Sequence, residues 1–263
     1  MKKILIVFGT RPEAIKMAPL VKEFFKNKNK FQTKVCITAQ HREMLDQVLD
    51  FFEISPDYDL NLMKPNQNLY SLTADIITNL KPVLEDFKPD YVFVHGDTTT
   101  TMATSLAAFY FGSKVCHVEA GLRTFNMSSP FPEEMNRSVT GVVTNFHFAP
   151  TKTSQQNLLN ENKSKESIIV TGNTVIDALL FSVNKVNSDG FNDSEIENLK
   201  QLIDTTKRLL LVTGHRRENH GQGFINICES LKQIALENPD TEIIYPVHLN
   251  PNVQKPVYEL LKG

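Results

Sequence analysis

Short apolar runs rich in β-branched residues alternate with longer amphipathic stretches along this chain. That alternation limits the possible folds more than any other feature. The runs Ile4–Phe8, Lys34–Thr38, Tyr91–His95, Lys114–Val118, Phe146–Phe148, Ser167–Thr171, Leu209–Thr213 and Glu242–Tyr245 are expected strands. Helical spacing covers Glu13–Lys26, Arg42–Phe52, Leu69–Phe87, Thr99–Phe111, Glu133–Thr144, Ser154–Asn162, Val175–Val186, Ser194–Thr205, Gly223–Glu237 and Val253–Leu261. Most of the strands are apolar throughout, as a parallel sheet covered on both faces requires. Repeated strand–helix–strand order of this length specifies an α/β, doubly wound sheet. Six strand candidates precede Gly172 and a new series starts at Leu209, so domains are expected at 1–172 and 173–263. The second is short for a doubly wound unit, which normally needs ~150 residues, and is therefore expected to be only part of one.

Composition excludes several classes. With 41% hydrophobic and 22% charged residues among 263, the chain can bury a core and is not disordered. Lys+Arg 28 against Asp+Glu 30 leaves no excess charge to draw it to nucleic acid or anionic lipid. Cys36, Cys116 and Cys228 are too scattered for a disulfide framework or a zinc knuckle. The opening run Ile4–Phe8 is too short for a signal-peptide core, and nothing approaches ~18 continuous apolar residues. A soluble, cytoplasmic protein is expected.

Ligands of open parallel sheets bind beyond the carboxyl ends of the strands, so the residues there carry most weight. The first strand candidate runs into Gly9-Thr10-Arg11-Pro12-Glu13-Ala14-Ile15-Lys16. Pro12 suits a first helical turn, and Gly9 allows close backbone approach. Arg11 stands where a guanidinium and a helix N-terminus could jointly hold a phosphate, although a capped helix with a solvated arginine explains it equally. A dinucleotide fingerprint is absent, because Gly221-Gln222-Gly223 is followed by Asn226 where a third glycine is needed.

Two successive strand candidates then end in His95-Gly96-Asp97 and His117-Val118-Glu119. Strand alternation would put each histidine and its carboxylate on one face. Such pairs fit a divalent metal site, a metal-free acid–base pair, or two histidines satisfied by their own carboxylates. One of the threonines after Asp97 is expected to cap the next helix. Glu133 and Arg137 lie four apart, as in an ordinary helical ion pair. Gly214-His215-Arg216-Arg217 is a cationic turn of the kind a pyrophosphate needs, and His248 follows another strand candidate.

In this order, the segments Gly9–Lys16, Gln40–Glu43, His95–Thr101, His117–Thr124, Pro130–Arg137, Gly172–Asp177, Gly214–Asn219 and Tyr245–Asn250 closely resemble the non-hydrolysing UDP-N-acetylglucosamine 2-epimerases. The resemblance extends from Lys3 to Leu261. It implies two Rossmann-like domains facing a cleft, as in many sugar-nucleotide glycosyltransferases. It also implies interconversion of UDP-GlcNAc and UDP-ManNAc through removal of the C2 proton, loss of UDP to leave a 2-acetamidoglucal, and re-addition. Such a product supplies ManNAc units for cell-surface polysaccharide. By position, Asp97, Glu119, Glu133, Arg137 and His215 match catalytic residues, and Arg11, Lys16, His215 and Arg216 match substrate-binding ones. Gln40, His41, Glu134, Arg216 and His248 match a site where a second UDP-GlcNAc acts as effector. In that region Lys64–Gln67 lacks an arginine carried by some members, and Glu43 replaces a glutamine.

The implied chemistry explains the residue types. A C2 hydrogen beside an acetamido group is barely acidic, so its removal must accompany departure of a leaving group stabilised by fixed cations. Taking and returning a proton on opposite faces needs more than one carboxyl group. No metal and no cofactor is implied. A homodimer is implied, with the stripe Leu72, Ile76, Leu80 and Leu84 as its first candidate surface and packing on its own sheet as the alternative. Family members continue beyond Gly263 with uridine-gripping residues, so the chain by itself is expected to be weakly active or inactive. The remaining alternatives are a retaining glycosyltransferase of the same architecture, a non-catalytic sugar-nucleotide-binding remnant, and a metal-dependent hydrolase built on His95, Asp97, His117 and Glu119.

Overall fold

A computed structural model describes residues 1–39, 42–64, 67–214, 221–248 and 250–261, apart from the side chains of Arg42, Glu43 and Asn252. Two compact units divide the chain, Met1–Ser188 and Asp189–Gly263.

The first unit is built on one seven-stranded sheet. In chain order its elements are β1 (Lys2–Phe8), α1 (Arg11–Lys26), β2 (Phe31–Ile37), α2 (Arg42–Phe51), β3 (Tyr58–Asp59), α3 (Leu69–Phe87), β4 (Tyr91–His95) and α4 (Thr99–Phe111). They continue with β5 (Lys114–Val118), α5 (Glu133–Val143), β6 (Phe146–Ala149), α6 (Lys152–Asn160), β7 (Ile168–Val170) and α7 (Val175–Val186). All pairs are parallel in the order β3-β2-β1-β4-β5-β6-β7. The winding reverses between β1 and β4, and a crevice opens at such a point in doubly wound sheets.

Burial of β1 explains the unbroken apolar run in the sequence. Ile4, Ile6 and Phe8 pack into one core with Ala14, Met17, Leu45 and Ala178, from α1, α2 and α7. Leu5 and Val7 pack into the other, with Leu72, Ile76 and Leu80 of α3 and Ala103 and Ala107 of α4. Helix ends follow local chemistry. Thr98 caps α4 by accepting the Thr101 N–H, and Gly112 closes that helix at φ +91°.

Two expectations are corrected. The α3 stripe Leu72, Ile76, Leu80 and Leu84 is only 0–3% exposed, because it covers its own sheet. It is core rather than a surface for a second chain. The first unit also continues past Gly172, since Phe181 of α7 stacks on Phe52 with ring centroids 5.1 Å apart. The Lys185 ammonium further donates to the Phe51 carbonyl at 2.6 Å. The two-residue strand β3 and a 3₁₀ turn at Lys165–Ser167 were not anticipated.

The second unit contains α8 (Ser194–Leu202), β8 (Arg208–Leu211), α9 (Gln222–Glu237), β9 (Thr241–Ile244) and α10 (Pro251–Leu260). Strands β8 and β9 pair in parallel, and Phe224, Cys228, Val253 and Val257 form the core against α9 and α10. Among the described residues no helix is long and apolar enough to cross a membrane.

Replacing Leu80 by Ala should cost about 2–5 kcal/mol, read as a lowered denaturant midpoint, because it opens a cavity between helix and sheet. A variant with unchanged stability would contradict the core assignment. Three buried histidines in the strands set a second expectation. Burial lowers His95 and His147 to about 4 and His117 to about 3, against an ordinary value of 6.5. The folded rings therefore stay neutral where the unfolded rings gain protons, so stability falls as pH drops below about 6.5. Urea midpoints measured from pH 6.5 to pH 5, above the range where ordinary carboxylates titrate, should decline steadily; a flat profile would contradict neutral burial.

Candidate active site

Glu13 organises the crevice at the sheet's switch point. Its side chain turns back over the start of α1, where Oε2 accepts the Gly9 and Thr10 N–H groups at 3.0 and 2.8 Å and the Thr10 hydroxyl at 2.8 Å. Oε1 accepts the hydroxyls of Thr98 and Thr101, at 2.6 and 3.1 Å, from the loop after β4 and the start of α4. A carboxylate there also favours the helix dipole. Beneath it the backbone is tightly packed: a Cβ on Gly9 would lie 2.0 Å from Thr38 Oγ1 and 2.5 Å from Thr100 Oγ1. Only glycine fits. Arg11, next in sequence, is exposed at the N-terminus of α1.

Glu119 follows β5 and sits at φ +63°, a left-handed conformation that is strained for a glutamate and marks a constrained site. Lys16 of α1 donates to both its carboxylate oxygens, at 2.9 and 2.8 Å, and the Asn173 amide donates at 2.7 Å. His95 Nε2 lies 3.8 Å away. Burial pushes the Glu119 carboxyl up, but the His95 ring, Lys16 and Asn173 outweigh it and hold the group below the ordinary glutamate range.

Asp97 has the opposite environment. Burial, with Glu119 and Glu133 nearby, raises it above the ordinary aspartate range despite Arg137, whose Nη2 lies 3.5 Å from Oδ2. Asn136 donates to the Asp97 carbonyl at 2.9 Å and so ties the loop after β4 to α5.

The histidine–carboxylate pairs are not those expected from strand alternation. His95 faces Glu119 across neighbouring strand ends, while His117 Nε2 lies 2.7 Å from the Gly96 carbonyl. The alternation fails because the strands end at His95 and Val118, and Gly96 at φ +70° and Glu119 turn the chain out of extended geometry. Among the described residues no three His, Cys, Asp or Glu side chains are arranged to hold a metal ion.

The expected Glu133–Arg137 ion pair is likewise replaced. Arg137 Nε lies 3.2 Å from the carboxylate of Glu134, three residues away, and also donates to the Glu133 carbonyl at 3.4 Å. Glu134 is 1% exposed and its two oxygens accept the N–H groups of Thr124 and Phe125. Both oxygens are therefore engaged inside the first unit. His248 is exposed in the second unit, with its Nδ1 accepting the Asn250 N–H at 3.1 Å. Gln40, His41, His215 and Arg216 lie outside the described residues.

Glu13, Asn136 and Asn173 contribute to the site without having been singled out. Glu13 carried a signal, as a glutamate three residues after Thr10 at a helix start reads as a capping box. Asn136 and Asn173 act across the fold, and local spacing does not reveal them.

The model of the family described as UDP-N-acetylglucosamine 2-epimerase matches residues 23–263. The chain is 58% identical to the Campylobacter jejuni UDP-N-acetylglucosamine 2-epimerase, over 99% of its own length and 68% of that relative's. It is also 58% identical to the enzyme of the same name from Escherichia coli (strain K12), over 98% of the chain and 69% of that relative. The crystal structure of the Neisseria meningitidis UDP-GlcNAc 2-epimerase bound to UDP-GlcNAc superposes with a TM-score of 0.91 at 56% identity, covering 99% of this chain and 70% of that one. These matches and the arrangement at the switch point agree: the chain belongs to the UDP-N-acetylglucosamine 2-epimerase family.

Proposed function

We propose that this chain epimerises UDP-GlcNAc at C2 to UDP-ManNAc by eliminating and re-adding UDP. The observation that carries the proposal is the contrast between two carboxyl groups on adjacent strand ends. Glu119 is held ionised by Lys16 and Asn173, whereas Asp97 is pushed toward its protonated form. Pairs of acids driven apart in this way divide the roles of base and acid between them.

In this mechanism Glu119 takes the C2 proton, the C2–H electrons form a C1=C2 double bond, and the C1–O bond to UDP breaks with its electrons leaving on the diphosphate. UDP then adds back at C1 while Asp97 delivers a proton to the other face of C2. Glu133, beside Arg137 on α5, is the third carboxyl group available for these transfers. Arg11, at the start of α1, supplies positive charge for the diphosphate, and Lys16 lies five residues further along the same helix. His215 and Arg216 add cationic contacts by family position. UDP-GlcNAc and UDP-ManNAc are the only partners this chemistry needs.

The same reading includes a homodimer. Because the α3 stripe is buried, the surface we assign to the second copy is the outward side of α3 and α4, where Ile77 lies beside Tyr110 and Phe111. Tyr110 is 72% exposed there, and its chain neighbours Phe109 and Phe111 are exposed with it, a cluster of apolar side chains of the kind a partner covers.

Incubation with UDP-GlcNAc alone should yield UDP-ManNAc on anion-exchange chromatography, slowly for this chain by itself, since an epimerase needs no acceptor. Asp97→Asn and Glu119→Gln should each slow conversion ~10²-fold or more, with substrate affinity changed far less. A near-normal rate in either variant would remove that residue from the proton-transfer pair. Exhaustive chelation should leave the rate unchanged, and restoration by a divalent ion after EDTA would contradict the mechanism. Light scattering at micromolar concentration should give twice the chain mass, with Tyr110→Glu shifted toward the monomer; a monomeric parent would refute the interface.

A further inference from the structure

Arg137 carries one positive charge and faces two carboxylates. Its Nε is 3.2 Å from Glu134 and donates to the Glu133 carbonyl at 3.4 Å, while its Nη2 is 3.5 Å from Asp97; both carboxylate distances exceed the 2.7–2.9 Å typical of a charge-assisted hydrogen bond, and Glu134 is the nearer. Glu134 is itself tied down by burial and by backbone hydrogen bonds. It is almost fully buried, Oε2 accepts the Thr124 N–H at 3.0 Å, and Oε1 accepts the Phe125 N–H at 2.9 Å. Phe125 itself sits at φ +60°, so the loop's strained turn is pinned to the carboxylate that holds the guanidinium.

We propose that Glu134 is a positioning residue that holds the Arg137 guanidinium beside Asp97 rather than directly on it. The proposal rests on the epimerase reading for the role of Asp97, whereas the link itself can be tested without turnover. Asp97 is faced by Arg137 and Glu133 from α5, by Glu119 beyond β5 and by Lys16 from α1. Glu134 is faced by Arg137 on its own helix and by the amides and hydroxyl of the 124–125 segment. Arg137 is the one group common to both sets. If the negative charge at position 134 is removed, Asp97 becomes the nearest anion to the guanidinium. Asp97 then feels the full positive charge and releases its proton at lower pH. With Glu134 in place, part of that charge is neutralised, and Asp97 stays raised above the ordinary aspartate range.

The test is a ¹³C NMR titration of the whole chain labelled at the aspartate carboxyl carbons, with the Asp97 signal assigned from Asp97→Asn. In Glu134→Gln the Asp97 midpoint should fall by about one pH unit. An unchanged midpoint in a folded variant would overturn the proposal. If Glu134→Gln fails to fold by near-UV circular dichroism, Arg137→Gln cuts the same link from the other end. There the Asp97 midpoint should rise, and no change would overturn the proposal equally. In turnover, kcat should fall in Glu134→Gln with its pH profile displaced and KM little altered. Loss of sigmoidal substrate dependence with an unmoved Asp97 midpoint would instead make Glu134 an effector contact. Failure of UDP-GlcNAc to react at all would count against the epimerase reading alone, since the titration gives its answer without substrate.

Discussion

The first unit's crevice depends on the buried carboxylate of Glu13. Burying a charge is costly unless it is fully hydrogen-bonded, and Glu13 meets that condition with five donors drawn from two strand-end loops. The loop after β1 and the loop after β4 are thereby fixed to each other where the sheet reverses direction. Each loop leads into part of the candidate site. Arg11 and Lys16 follow from the first, and Asp97 lies in the second. Loss of this carboxylate would orphan buried amides and hydroxyls on both sides.

Around that clamp the charges are divided into two groups. Lys16 and Asn173 converge on Glu119, while Arg137 is shared by Asp97 and Glu134. The division matters because proton abstraction from a weakly acidic carbon needs an ionised base and a separate proton donor at one pH. A single environment could not shift two neighbouring carboxyl groups in opposite directions. The left-handed backbone at Glu119 fits the same account, since strain at that position places its carboxylate between α1, His95 and the segment after β7.

Much of this was legible in the sequence because the fold's signals are local. β1 declares itself by five consecutive apolar residues, and α4 by threonines that cap it and a glycine that ends it. What escaped prediction lies across space or at the ends of elements. β3 is two residues long and has no periodicity to read. Gly172 ends the strand series, yet α7 still belongs to the first unit, because the stacking of Phe181 on Phe52 leaves no trace in spacing. The α3 stripe was visible as a stripe, but amphipathicity does not say whether its own sheet or another chain covers it. For Arg137, helical geometry allows partners three or four residues back, and burial chose Glu134. The His-x-carboxylate pattern misled because the alternation rule ends where the strand ends.

The central claim is that this site removes and replaces the proton on C2 of a UDP-sugar. Proton NMR of UDP-GlcNAc incubated with the protein in D₂O measures that event at the reacting atom. The account predicts that the C2 proton signal disappears, that UDP-ManNAc forms with deuterium at C2, and that Glu119→Gln slows both together. Formation of UDP-ManNAc with its C2 proton retained, or release of UDP without any exchange at C2, would contradict it.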